Sequence, residues 1–198
     1  MFKKYIISIL FVLLSSSLIF AANNDKSFVE NLIKTKTNKA LQLINNKKLT
    51  EKEKKDKIFQ IIGPTFDFNI MAKLVLGKKY WPKLTKEQKE KFIKLFAKRI
   101  RMVYLDRVSI SGNLNVTYKE PIQKNKKIIY VPSVFTVSGK NYSVVFKLWK
   151  SPKGWRIYDI EVEGISIIRT YRSQFYDILS KGSVDDLFKK LESSSSSK

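Results

Sequence analysis

The segment from Gly154 to Phe175 constrains the fold more than any other part of this chain, because two different periodicities meet in it. Alternating apolar residues predict a strand over 155–162, and apolar residues at helical spacing then predict an amphipathic helix over 165–180. Gly164 lies at the junction, where an unrestricted backbone lets the chain change direction. The polar side chains of this segment match no known arrangement of catalytic residues. Its apolar side chains are more numerous than packing at the edge of a thin sheet would require. The segment therefore indicates a protein that holds something apolar.

Four helices are predicted before the first strand, from apolar periodicity and from capping residues. They are residues 25–46, a helix opened by the capping box Thr50–Glu53, a short helix over 68–76 capped by Asp67 and stopped by Gly77, and a long helix opened by the capping box Thr85–Gln88. In a capping box the side chains of the first and fourth residues satisfy each other's free backbone N–H groups. Such signals fix where a helix starts more firmly than periodicity does.

After Ser111-Gly112 the apolar period changes to two, and strands are predicted over 114–119, 128–137, 142–149 and 155–162. Turn residues at 138–141 and 151–154 join the last three strands as hairpins. A short helix over 184–192 follows the helix over 165–180. This order predicts an α+β fold, a twisted antiparallel sheet of about four strands with helices packed on one face enclosing an apolar pocket.

Both ends of the chain are predicted to lie outside the fold. Lys3 and Lys4, the apolar run 5–20 and the small residues Ala21-Ala22 predict a signal peptide over 1–21 that is cleaved on secretion. Residues 22–192 then form a single domain, and the serine-rich tail 193–198 is predicted to be disordered.

The chain contains no cysteine and no histidine, which removes most conventional catalytic and metal sites. Ser-His-Asp and Cys-His arrangements are impossible, and zinc sites built from histidine and cysteine are excluded. Disulfides are excluded as well. Carboxylates are the conventional catalytic groups that remain. Those near element ends are Asp67, Asp106, Asp159, Glu161 and Glu163. A small secreted enzyme that uses such carboxylates with Tyr158 or Tyr171 stays one alternative.

The formal net charge of +22 indicates an anionic partner or a generally lysine-rich composition. Lysines outnumber arginines by 33 to 6, whereas bidentate recognition of phosphate favours arginine. Nucleic acid is not expected as a partner of a secreted protein. A basic adaptor that binds acidic proteins or membrane surfaces stays the second alternative.

The predicted helices offer more apolar surface than one sheet face can cover, so the surplus is core, partner interface or pocket wall. The predicted pocket residues are Phe68, Met71, Phe96, Ile100, Val103, Tyr104, Val144, Phe146, Leu148, Tyr158, Ile160, Val162, Ile165, Ile168, Tyr171 and Phe175. Arginines beside an apolar cleft suit a phosphate headgroup or a partner. The basic groups expected near this face are Arg99, Arg101, Arg107, Arg169 and Arg172, and the candidates for this contact are Arg99, Arg107, Arg169 and Arg172.

The sequence resembles the MlaC-like, or toluene-tolerance, family of periplasmic phospholipid-binding proteins of the Mla lipid-transport system. The matching blocks are Phe66-Asp67-Phe68, the run 71–77, Tyr80-Trp81, Leu84-Thr85, Phe92, Tyr104-Leu105, the run 154–159, the run 163–166, and Tyr171-Arg172-Ser173-Gln174-Phe175. They occur in order over nearly the whole chain after the predicted signal peptide. Many surface lysines and the serine tail depart from the family pattern.

The resemblance implies a soluble periplasmic carrier, expected to be monomeric, that encloses the acyl chains of a phospholipid and leaves its headgroup exposed. Its implied partners are an outer-membrane lipoprotein complex and an inner-membrane ABC transporter with a lipid-binding MCE-type partner. Its implied role is to maintain the lipid asymmetry of the outer membrane. Phospholipid is the cargo, and neither a cofactor, a metal nor catalysis is expected.

Overall fold

The fold has two helices over the inner face of an antiparallel sheet and four further helices beside the last long strand. The structure is a computed structural model that describes residues 24–105 and 114–193. Its helices are α1 (24–44), α2 (Glu51–Ile62), α3 (Phe68–Tyr80), α4 (Lys86–Leu105), α5 (Ile167–Lys181) and α6 (Val184–Ser193). Its strands are β1 (Leu114–Tyr118), β2 (Ile122–Asn125), β3 (Ile128–Val137), β4 (Lys140–Ser151), β5 (Gly154–Val162) and β6 (Ile165–Ser166). The predicted α+β class is confirmed.

The predicted capping residues open the helices as expected. The Glu53 N–H donates to Thr50 Oγ1 over 3.3 Å, and the Thr50 N–H donates to the Glu53 carboxylate over 2.8 Å. Thr85 and Gln88 make the same reciprocal pair at the start of α4. Asp67 caps α3 by accepting the Ile70 N–H over 3.0 Å. These bonds satisfy N–H groups that the first helical turn leaves free.

Gly77 interrupts α3, where the sequence predicted the helix to stop. Its φ of 61° lies in the left-handed region that favours glycine. A Cβ at this position would lie 2.6 Å from the Tyr176 hydroxyl oxygen, so α5 leaves no room for a side chain. The kink lets the chain run on to Tyr80 and Trp81, and it brings α3 close to α5.

The sheet has six strands rather than about four, in the order β1-β3-β4-β5-β6 with β2 also paired to β3. All pairs of strands are antiparallel. The two additional strands are short: β2 is a polar edge strand, and β6 has only two residues. Because β6 pairs with the end of β5, α5 begins at Ile167 rather than at Ile165. Glu163 and Gly164 make the connecting turn with positive φ values.

A register shift in β5 decides which residues face inward. Leu148 pairs with Ile157 and Lys147 pairs with Asp159, so Tyr158 is the extra, bulged residue. Alternation therefore restarts after the bulge, and Ile157, Ile160 and Val162 all face the inner side of the sheet. Tyr158 faces outward instead, where its hydroxyl lies 3.4 Å from that of Tyr130. Burial raises the pKa of Tyr158 above its ordinary value, and the neighbouring Tyr130 hydroxyl raises it further.

The buried residues form two clusters. The first, the helical core, joins α3, α4, α5 and α6 around the aromatic rings of Phe92, Phe96, Tyr171 and Phe175. The second, the sheet core, joins Val29 and Ile33 of α1 to inward residues of the sheet; these are Ile129, Val131, Leu148, Trp155 and Ile157. Phe66 and Ile160 pack against both clusters, so they mark the boundary between them.

The predictions for the two ends of the chain lie outside the described residues, apart from Ser193, which ends α6. The predicted signal peptide, 1–21, and the rest of the serine tail, 194–198, belong to the ranges that the structure does not describe. Within 24–105 and 114–193, no helix combines the length and the hydropathy that crossing a bilayer requires.

Candidate functional site

A cavity of about 350 Å³ lies between α1 and α2 on one side and the inner face of the sheet on the other. Its size is within the range of small-molecule sites in proteins, about 300 to 1,000 Å³. Its apolar lining residues are Ile33, Ala40, Leu41, Ile44, Ile58, Phe59, Ile62, Phe66, Phe68, Met71, Ile100, Leu114, Phe135, Val144, Phe146, Ile157, Ile160, Val162 and Ile167; its polar ones are Lys36, Thr37, Thr65 and Arg101. The lining is therefore almost entirely hydrocarbon.

Helix α1 supplies one wall because its apolar residues recur every three or four positions. Ile33, Ala40, Leu41 and Ile44 lie along a single face of the helix, as this spacing requires. The N-terminal half of that face packs on the sheet core, where Val29 and Ile33 are fully buried. The C-terminal half, with Ala40, Leu41 and Ile44, faces the cavity instead.

Helix α2 and the strands supply the remaining walls. Ile58, Phe59 and Ile62 come from one face of α2, and Ile58 is the only one of its residues that is buried. Phe135 of β3 and Phe146 of β4 project from the inner face of the sheet, where their rings lie 6.2 Å apart.

The burial of the lining residues differs from one end of the cavity to the other. Met71, Ile33 and Ile157 are buried at one end, whereas Leu41, Leu114, Phe135 and Val162 are only half-buried. The cavity is partly open to solvent, and from the half-buried residues we infer that its opening lies at the second end. The ends of α1, β3 and β5 and the start of β1 meet there.

The cationic residues of the lining come from α1 and α4. Arg101 of α4 forms an ion pair with Asp56 of α2, and its guanidinium lies 5.1 Å from the ring centre of Phe59. Lys36 of α1 also borders the cavity. Thr65 donates its hydroxyl hydrogen to the Ile62 carbonyl, so that polar group is satisfied locally. The cavity is thus apolar with positive charge at its border.

The structure brings together seven of the predicted pocket residues. Phe68, Met71, Ile100, Val144, Phe146, Ile160 and Val162 line the cavity. Phe96, Ile168, Tyr171 and Phe175 belong to the helical core, and Leu148 belongs to the sheet core. Tyr158 lies on the outer face, Ile165 is exposed, and half-buried Val103 does not line the cavity. The side chain of Tyr104 lies outside the described part of the chain.

Of the four predicted headgroup arginines, the three that the structure describes do not line the cavity. Arg172 donates from Nε to the Leu74 carbonyl over 2.9 Å, and this bond ties α5 to α3. Arg169 donates to the Gly164 carbonyl over 3.2 Å and is exposed. Arg99 is half-buried on α4 and is absent from the lining, and Arg107 lies outside the described residues. Among the described residues, Arg101 is the arginine that lines the cavity.

Most of the lining residues that the prediction omitted come from α1 and α2. Their signal was present, because the apolar pairs of α1 and the apolar end of α2 are visible in the sequence. That signal predicts that one face of each helix is shielded from solvent. It does not show whether the face packs against core residues or lines a cavity.

Two of the candidate catalytic carboxylates, Asp159 and Glu161, bind the same lysine on the outer side of the sheet. Lys147 Nζ donates to Glu161 over 2.7 Å and to Asp159 over 3.3 Å. Burial opposes the charge on Lys147, but the bonds to Glu161 and Asp159 outweigh it and raise the pKa of Lys147. In the part of the chain that the structure describes, no carboxylate lines the cavity.

The Asp159 carboxylate also binds groups at the start of α5. It accepts the Ser166 hydroxyl hydrogen over 2.7 Å and the Ile168 N–H over 3.1 Å, and Ser166 in turn accepts the Arg169 N–H. A buried carboxylate at a helix N-terminus satisfies backbone groups and interacts favourably with the helix dipole. Its contacts are therefore accounted for by structure. Among the described residues, no group of three or more acidic side chains could hold a metal ion.

Comparison with known proteins gives consistent matches over most of the chain. A family model described as MlaC protein matches residues 34–193. The toluene tolerance protein ttg2D of Pseudomonas putida is 26% identical over 132 residues, which cover 66% of this chain and 61% of that protein. The intermembrane phospholipid transport system binding protein MlaC of Haemophilus influenzae is 23% identical over 138 residues, covering 67% and 64%. The matches thus span less than two thirds of the length of both relatives.

A solved structure has the same fold. It is the phospholipid-binding protein from Ralstonia solanacearum in complex with a phospholipid, with a TM-score of 0.75 and 26% identity. The similarity covers 84% of this chain and 96% of that one. With the family model extending over residues 34–193, these matches establish that the chain belongs to the MlaC family.

Proposed function

We propose that this protein is a non-enzymatic carrier that holds the acyl chains of a phospholipid in the cavity between α1, α2 and the sheet. The observation that carries the proposal is the hydrocarbon lining, which leaves cationic groups only at the border. The phospholipid complex of the structural relative supports it, as does the name of the Haemophilus relative. The absence of a carboxylate from the described lining favours binding over carboxylate catalysis.

The energetics of lipid transfer explain why such a lining is needed. Transfer of two acyl chains of ordinary length from hydrocarbon into water costs roughly 20 to 25 kcal/mol of free energy, at about 0.8 kcal/mol per methylene. A carrier must offer hydrocarbon contacts that nearly match those of the bilayer interior. A site that bound the chains much more strongly would not release them again.

The proposed setting is the periplasm, reached through cleavage of the predicted signal peptide. There the protein, as a monomer, carries phospholipid between an outer-membrane lipoprotein complex and an inner-membrane ABC transporter with its MCE-type partner. This transport maintains the lipid asymmetry of the outer membrane. The family match and the name of the Haemophilus relative support the transport of phospholipid, which is cargo rather than cofactor.

The proposal is tested by the lipid that co-purifies with the protein. Native mass spectrometry and organic extraction should find about one phospholipid per protein. Replacing Ala40 by Phe places a ring in the cavity, so Ala40→Phe should lower the lipid-to-protein ratio at least twofold, given about 0.8 kcal/mol per displaced methylene. Asn38→Phe, on the exposed side of the same helix, is the matched control and should leave the ratio unchanged. Lipid-free wild-type protein that takes up no lipid from vesicles would contradict the proposal.

A further inference from the structure

The end of the cavity that opens to solvent is bordered by exposed side chains that no part of the described fold covers. Four of them, Lys140, Tyr142, Ile165 and Arg169, form what we call the rim surface. The location of the three strand residues, Lys140, Tyr142 and Ile165, follows from the pairing of the strands, because directly opposed residues in an antiparallel pair project from the same face of a sheet. Tyr142 pairs with Phe135, and Ile165 pairs with Val162. Phe135 and Val162 both line the cavity, so Tyr142 and Ile165 continue its walls outward.

The two apolar members of the rim surface are unusually exposed. Ile165 is 65% exposed and Tyr142 is 40% exposed. Among the side chains that the structure describes, four large apolar ones are exposed, and two of them belong to the rim surface. Scattered exposed apolar residues are ordinary in soluble proteins, but a pair at the opening of an apolar cavity is consistent with a contact surface.

The other two members of the rim surface are cations. Lys140 pairs with Val137 and lies on the same face as Tyr142, one step farther from the cavity. Arg169 has 69% of its side chain exposed; its guanidinium lies 3.2 Å from the Gly164 carbonyl and 3.8 Å from the Glu161 carboxylate. Two carboxylates also lie in this region: that of Glu161 beside Arg169, and that of Glu163, which accepts the Ser143 N–H. Lys36 adds positive charge where the cavity begins.

We propose that the rim surface docks this protein directly on an anionic lipid bilayer, with Tyr142 and Ile165 in the interfacial layer and Lys140 and Arg169 on lipid phosphates. This inference rests on the proposed function and adds a membrane contact to it. Tyrosine with aliphatic residues, flanked by cations, is the combination that partitions into bilayer interfaces. Lysines and arginines held at an anionic surface add attraction that salt weakens. With the opening against the bilayer, a lipid enters the cavity without crossing water.

Co-sedimentation of the full protein with lipid vesicles tests the apolar part of the contact. Vesicles of phosphatidylglycerol and phosphatidylethanolamine should pellet the wild-type protein, whereas vesicles of phosphatidylcholine alone should not. Ile165→Glu should lower the ratio of bound to free protein about tenfold, because it removes apolar burial and adds a charge that the interface disfavours. Ile122→Glu is the matched control, since Ile122 is 48% exposed on the edge strand β2 and should bind as the wild type does.

A second pair of variants tests the cationic part. Lys140→Glu should lower binding to the same vesicles by at least roughly fivefold, which corresponds to about 1 kcal/mol for one cation near an anionic surface. Lys126→Glu changes the net charge equally at an exposed site in the β2–β3 turn and should have little effect. Equal loss in both variants would mean that the protein adheres through its overall charge, and would overturn the proposal.

The docking proposal can fail while the carrier proposal stands. Both Ile165→Glu and Lys140→Glu should retain co-purifying phospholipid, because neither residue lines the cavity. Wild-type protein that carries lipid but does not bind anionic vesicles would overturn membrane docking and leave the rim surface to a protein partner. Absence of lipid from the wild type would count against the carrier itself, whatever the vesicles show.

Discussion

The helical core and the cavity are built from the same kinds of apolar side chain, yet one is filled and the other is hollow. In the helical core, Phe96 lies 5.3 Å from Tyr171 and 6.0 Å from Phe175, with its ring nearly perpendicular to both. Such edge-to-face contacts fill space efficiently. Around the cavity, the rings of Phe135 and Phe146 lie 6.2 Å apart and are tilted by 50° to each other beside an empty space.

The comparison shows that the number of helices packing into one region determines whether a cavity remains there. In the helical core, α3, α4, α5 and α6 all place aromatic or branched residues into one cluster. Over the cavity, α1 is held mainly by its N-terminal half, and α2 contributes one buried residue, Ile58. A helix that packs on the sheet mainly through one half leaves a gap beside its other half.

The largest effect should come from truncating an aromatic residue in the helical core. Phe96→Ala removes a fully buried ring and leaves a void that close packing cannot fill, so we expect the free energy of unfolding to fall by about 3 to 5 kcal/mol. Urea unfolding followed by circular dichroism measures this change. A loss below about 2 kcal/mol would mean that the helical core is itself loosely packed.

The next largest effect should come from Asp159, which joins the sheet to the first turn of α5. Asp159 is 5% exposed, and Asp159→Asn removes the charge that Lys147, Ser166 and the Ile168 N–H all contact. We expect a loss of about 2 to 3 kcal/mol in the free energy of unfolding. Asp177→Asn, in an exposed pair with Lys181, is the control and should cost well under 1 kcal/mol. Equal losses would argue that the buried network adds nothing.

Truncation of a cavity residue should cost less than truncation in the helical core. Phe135 is half-buried beside the cavity, so Phe135→Ala enlarges a space that already exists and should lower the free energy of unfolding by about 1 kcal/mol. The same urea titration on lipid-free protein gives the value. If Phe135→Ala cost as much as Phe96→Ala, the distinction between a filled and a hollow region would be wrong.

The smallest effect concerns the N-terminal anchor of α1. The Asp25 carboxylate accepts hydrogen bonds from Lys150, at 2.8 Å, and from the Trp155 indole, at 3.1 Å. Desolvation disfavours its charge, but these bonds outweigh that effect and lower the pKa of Asp25 below its unfolded value of 3.8. A lowered pKa stabilises the fold above the unfolded value, and this stabilisation is lost as the pH falls through the folded one.

We therefore expect amide hydrogens of α1 to exchange faster below about pH 4, relative to those of α5, after correction for the intrinsic pH dependence of exchange. Asp25→Asn at neutral pH should reproduce the change, with a cost of about 0.5 to 1 kcal/mol for this partly exposed group. Unchanged α1 protection in Asp25→Asn would show that Val29 and Ile33 alone hold the helix.

The sequence predicted helix starts and strand positions well because those features are local. The capping pairs Thr50–Glu53 and Thr85–Gln88 bond as expected, and Gly77 breaks α3 where predicted. The strand β2 was missed because a short polar edge strand lacks apolar alternation. Helix α5 was predicted two residues too early because the pairing of β6 with β5 is a contact between strands.

The lining of the cavity was harder to predict, for physical reasons that individual residues show. Tyr158 was placed on the inner face by simple alternation, and the bulge in β5 turns it outward. Phe92 and Phe96 are four residues apart on one helix, as Ala40 and Ile44 are, yet the first two are core and the last two line the cavity. The spacing of apolar residues identifies the apolar face of a helix. Whether that face packs against side chains or borders a cavity depends on how far the side chains of the opposite layer reach.

Because α1 is held mainly at its N-terminal end, the wall that it forms affects which acyl chains the cavity can hold. The ionic and indole contacts of Asp25 fix the beginning of the helix, and its last two turns, with Ala40, Leu41 and Ile44, border the hollow without being deeply buried. A small tilt about the fixed end displaces those turns by several ångströms and leaves the strands in place. We expect the protein to accommodate tails of differing length and unsaturation through one adjustable wall, with little selectivity among them.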